Sequence, residues 1–70
     1  MILDEVKEHR DIQNRLWGEQ NHVPHEWLAI LVEEIGEVAK AIVEGTDNYR
    51  TELLQVAAVA VAAIESWDRQ

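Results

Sequence analysis

Seventy residues make one small domain, and a chain of that length buries only about 60% of the surface it exposes when unfolded. Without cysteine it has neither a disulfide framework nor a cysteine-based zinc site, and His9, His22 and His25 are too few for a zinc cage of their own. Six basic against 14 acidic residues leave a net charge of −8, which argues against nucleic acid polymers and anionic membranes as partners, since both need a basic face.

An apolar fraction of 47% is too high for a disordered acidic tail. Three glycines and one proline among many Ala, Glu, Leu and Val point to helices. The N-terminus carries no basic region followed by an apolar stretch and a small-residue cleavage site. The longest apolar run, Val56 to Ile64, falls well short of the ~20 residues of a membrane span. The expectation is one all-α domain over residues 1–70, soluble and cytoplasmic.

The first predicted helix runs from about Leu3 to Trp17, with Val6, Ile12, Leu16 and Trp17 as an incomplete apolar stripe. Gly18 ends it, and the polar segment Glu19–His22 leads to Pro24, a residue at home in a first helical turn. The second helix runs from there to about Glu44, with Gly45 at its stop. Its main apolar row is Leu28, Leu31, Ile35, Val38 and Ile42, the 3-4 spacing of a bundle seam. Glu26, Glu33, Lys40 and Glu44 fall roughly opposite, whereas Glu34 and Glu37 share a flank with Trp27, Ile30 and Ala41.

Thr46, Asp47 and Asn48 are the cap candidates for a third helix, Tyr49 to about Asp68. From Leu53 to Ile64 only Gln55 interrupts its apolar character, and a helix apolar all round is buried all round. Three short helices cannot surround it alone. The predicted architecture is therefore a short helical hairpin domain that completes its bundle by pairing with further copies, as a homodimer or homotetramer.

Glu34 and Glu37 are three residues apart, so their carboxylates project side by side; Glu52 and Gln55 repeat that spacing on the third helix. Antiparallel packing across the Gly45–Asn48 turn would bring the two pairs level. Three carboxylates and an amide oxygen in a low-dielectric pocket repel one another unless a divalent cation joins them. Hard oxygen ligands with no sulfur or imidazole favour magnesium, manganese or calcium over zinc, and magnesium in particular shares its shell with substrate phosphates. Trp17 and Trp27 read first as core or interface fillers and second as rings on which a base stacks. Asn21 and His22 read as caps of the second helix or as contacts to a base edge or phosphate.

The run Glu33-Glu34-Ile35-Gly36-Glu37-Val38-Ala39 resembles the E-E-x-x-E motif of the MazG-like branch of all-α nucleoside triphosphate pyrophosphohydrolases. Glu52 to Ala60 is similar to the second motif, normally E-x-x-D, and Trp17-Gly18-Glu19-Gln20-Asn21-His22 to a segment that precedes the first. The resemblance spans about Glu8 to Arg69. It implies a magnesium-dependent hydrolase that cleaves a (deoxy)nucleoside triphosphate between its α and β phosphates, a nucleotide-pool house-cleaning reaction. By motif position Glu34, Glu37 and Glu52 would bind metal, with Glu33 a further catalytic acid and Gln55 at the fourth ligand position. Trp17, Asn21, His22, Trp27 and Lys40 would contact substrate; Arg10 and Arg50 are further phosphate candidates.

Two departures stand out. Gln55 replaces the family aspartate, removing one negative charge and any base at that position. The chain is also shorter than family members that continue into a further helix. Two other readings stay open: a weakened relative that binds metal or nucleotide without turnover, and a helical dimerisation module whose acids keep it soluble.

Overall fold

Glycine and proline punctuate the chain where the sequence predicts. The computed structural model describes residues 1–70 as three helices, α1 (Ile2–Trp17), α2 (Pro24–Glu44) and α3 (Tyr49–Asp68), with no strand. Gly45 closes α2 at φ 65°, ψ 36°, a left-handed conformation that costs other residues a Cβ clash. The next amide, Thr46 N–H, reaches back to Ala41 O at 3.1 Å. At the other end Pro24 opens α2, and Glu26 accepts the Val23 N–H at 3.1 Å, one half of a capping box. Asn48 precedes α3, but its side chain donates to Glu52 Oε1 at 3.2 Å instead of capping the backbone.

Both α1 and α2 pack on α3, and neither packs on the other. The third helix is therefore a spine, and a trough lies above it between its two neighbours. The α1 face turned to the spine carries Val6, Arg10 and Gln13. Ile12 and Leu16, expected in the apolar stripe, are exposed. The 4-3 spacing of Val6, Arg10 and Gln13 sets one face, and Ile12 and Leu16 lie about 100° away from it. Polar bridges join this face to α3: Arg10 Nε to Glu65 Oε1 at 2.7 Å, and Gln13 Nε2 to Gln55 Oε1 at 3.2 Å. Arg50 adds a fork to Glu5 at 2.8 and 2.5 Å.

On α2 the packed face is Trp27, Ile30, Leu31, Glu34, Val38 and Ala41. The expected seam is displaced from it by about 60° of helix rotation, which leaves Leu28, Ile35 and Ile42 more than half exposed. The apolar arc of α2 is about 200° wide, twice what one neighbouring helix covers, so its centre need not be the contact. Trp27, Val59 and Ala62 form the tightest apolar cluster, with Ile30, Leu31 and Ala63 against it.

The spine is only partly covered as well. Leu54, Ala58, Val59 and Ala62 are buried, but Leu53, Ile64 and Trp67 are exposed. A radius of gyration of 12.4 Å exceeds the ~11 Å expected of a rounded 70-residue chain, as an open three-helix slab should. No helix is long and apolar enough to cross a membrane.

Candidate functional site

The trough above α3 closes into a cavity of about 210 Å³. Arg10, Gln13 and Trp17 line it from α1, Trp27, Ile30 and Glu34 from α2, and Gln55, Val59 and Ala62 from α3. Its end wall is the connector at Gly18 and Gln20. Gly18 makes that wall by a turn at φ 71°, which few other residues adopt. The connector is pinned to the end of α3. Ser66, wholly buried, accepts the His22 N–H at 3.2 Å, and Arg69 donates to Asn21 Oδ1 at 2.8 Å and to the Gln20 carbonyl at 2.9 Å.

Glu34 is the acid that lines this cavity, and it is half-buried within the packed face of α2. Burial raises its carboxyl above the ordinary value, and the charges of Glu52, Glu33 and Glu37 push the same way. Of these, Glu52 lies on α3, so its charge is felt from the neighbouring helix. Glu33 and Glu37 are exposed along the edge of that face. The carboxylates are not drawn into a closed cage: no three acid or histidine side chains gather tightly enough to hold a metal ion.

The other expected site residues divide into two groups. Trp17 and Trp27 both line the cavity, Trp17 as an exposed rim and Trp27 as a buried wall. Asn21, His22 and Lys40 do not line it. Asn21 is engaged at both ends of its amide, by Arg69 and by Glu19. The His22 ring stands edge-on to Trp27 with centroids 4.9 Å apart, and Lys40 is exposed. Gln55 lies in the cavity, but its Oε1, the atom expected to meet a metal, accepts from Gln13. Arg50 is committed to Glu5.

Gln13 and Gln20 are cavity residues that sequence reasoning passes over. A signal for Gln13 existed in the spacing of Val6, Arg10, Gln13 and Trp17, but two polar residues in a row do not look like a packed face. A second, apolar groove of about 400 Å³ lies behind Trp27, between Pro24, Leu28 and Leu31 of α2 and Ala63, Ile64 and Trp67 of α3. Comparison of the chain with known protein families, curated proteins and solved structures finds no match to any of them.

Proposed function

We propose that this chain is a MazG-like, magnesium-dependent nucleoside triphosphate pyrophosphohydrolase. The observation that carries the reading is Glu34: a carboxyl set inside a packed helix face, opposed by Glu52 across the helix gap, at the wall of a cavity. A structural helix gains nothing from that placement, because a desolvated carboxylate among like charges costs stability unless a cation balances it. A hard cation suits this all-oxygen donor set, and it would draw Glu34, Glu37 and Glu52 together from their separate positions, with Glu33 beside them.

Magnesium held by these acids would supply charge neutralisation for the triphosphate and activation of the attacking water. The chain's own part is to hold the acids at one end of the trough and to present Trp27 and the rim residue Trp17 at the cavity. The attacking water would displace pyrophosphate from the α phosphorus, leaving a nucleoside monophosphate. Gln55 lacks a proton-accepting carboxylate, so base chemistry falls to the acids around Glu34. The engagement of Gln55 by Gln13 favours one second reading, a relative that binds metal and nucleotide with little turnover.

The reading includes a second copy of the chain. Leu28, Val32, Ile35 and Ile42 on α2 and Ile64 and Trp67 on α3 are each more than half exposed and border one groove and helix face. A second copy covering this face would bury apolar side chains of the kind that form the core of a homodimer interface.

Incubation of the protein with magnesium and a set of nucleoside triphosphates, with product separation, tests the activity. Monophosphate and pyrophosphate in equal amounts, both absent when the metal is chelated, are expected. Release of orthophosphate and a diphosphate would overturn the assignment.

A further inference from the structure

Three residues that line the cavity carry donors without a protein acceptor. Arg10 is only 7% exposed, yet its Nε alone is paired, to Glu65, and neither terminal guanidinium nitrogen has a protein acceptor. Trp27 is 6% exposed, and its indole N–H is the buried side-chain polar atom without a partner. Both residues line the same cavity, as does Gln55, whose Nε2 has no acceptor while its Oε1 takes the Gln13 proton. The Trp27 N–H is the buried one, and a buried donor left unpaired costs free energy, so this recess suits a guest that brings acceptors.

Charge and size define the guest. Glu65 at 2.7 Å already balances the Arg10 charge, and Glu34 adds a further acid to the wall. An anionic group would enter a neutral-to-negative recess, whereas a neutral carbonyl oxygen meets donors without that penalty. The volume of about 210 Å³ is below the ~300 Å³ floor for drug-sized ligands, so one flat ring fits and a whole nucleotide does not. A ring in the recess would lie against the Trp27 wall.

We propose that this cavity holds a single flat heterocycle bearing carbonyl oxygens, of the uracil, thymine or guanine type, and discriminates against adenine, which has none. The donors that read it are the Arg10 guanidinium, the Trp27 indole N–H and the Gln55 amide. This rests on the nucleotide reading above: the ring is the substrate's base, and its phosphates lie outside the cavity towards Glu34, Glu37 and Glu52.

Titration with non-hydrolysable dUTP and dATP analogues in magnesium, followed by calorimetry and tryptophan fluorescence, tests the inference. The uracil analogue should bind at least about tenfold more tightly. Arg10→Lys keeps the charge facing Glu65 but loses the planar fork, and Trp27→Phe keeps a ring but loses the N–H. Each should reduce the preference by about fivefold or more, the size of one hydrogen bond. Gln55→Met is the further variant if Trp27→Phe loses helicity by circular dichroism, and it should reduce the preference in the same direction. Equal binding of the two analogues overturns the base recess while leaving the nucleotide reading in place. Uridine that quenches fluorescence without metal, where adenosine does not and no triphosphate binds, supports the recess and overturns the nucleotide reading. Failure of uridine and both analogues to bind overturns the two together.

Discussion

Glu34 and Glu5 respond to pH in opposite senses. The Glu34 carboxyl titrates above its unfolded value because burial and the neighbouring acids penalise its charge. The folded state therefore takes up its proton more readily than the unfolded state. The cost is absent below the unfolded pKa, appears as pH rises through the folded pKa, and is complete at neutral pH. Glu34→Gln should raise the thermal midpoint of the metal-free protein at neutral pH by a few degrees and leave it unchanged in acid. Glu5 is held below its ordinary value by the Arg50 fork. Its contribution is present above the unfolded pKa and lost as pH falls through the folded one. Glu5→Gln should lower the midpoint slightly at neutral pH and low salt, with the difference lost as pH falls through the folded pKa and in high salt. Thermal unfolding across a pH series at two salt concentrations checks both.

The ends of the elements are legible in the sequence because single residues dictate them. Pro24 has no N–H to lose at the first turn of α2, and Gly45 takes a backbone conformation that alanine resists. Gly45→Ala should cost about 1 kcal/mol, seen as a lower denaturation midpoint with unchanged helicity in native buffer. The inward faces are less legible. The apolar arc of α2 is wider than one neighbour can cover, so its mid-line marks the average of two contacts, one with α3 and one with the surface left open. On α1 the inward face is polar at Arg10 and Gln13, and a reading by apolar spacing selects Ile12 and Leu16 instead. An approach of the α2 acids to Glu52 was legible as an expectation, because residue counts on either side of a short turn set the level of two antiparallel helices. The Gln13–Gln55 bond was not, because it joins α1 to α3 across 42 residues.

At the scale of the molecule, the burial pattern is that of three helices with a small core and much exposed apolar surface. Ten of 70 residues are buried, while 16 large apolar side chains are exposed, and a single core this small leaves little stability for an isolated chain. The apolar surface on α2 and α3 lies on the side of Trp27 occupied by the second groove, and pairing there would leave the trough open to substrate. Leu28→Glu combined with Ile35→Glu should convert a dimer to a monomer in sedimentation equilibrium and lower the midpoint by several degrees. A wild-type chain that sediments as a stable monomer at all concentrations would contradict that interface.

The most direct test of the account is calorimetric titration of magnesium into the wild-type protein and into Glu34→Gln, each with a non-hydrolysable nucleoside triphosphate present. If the acids around Glu34 form a cation site that serves a triphosphate, the wild type binds magnesium stoichiometrically, and the variant binds it at least about tenfold more weakly. Equal affinity in the two proteins, or no magnesium binding in the wild type, would contradict it.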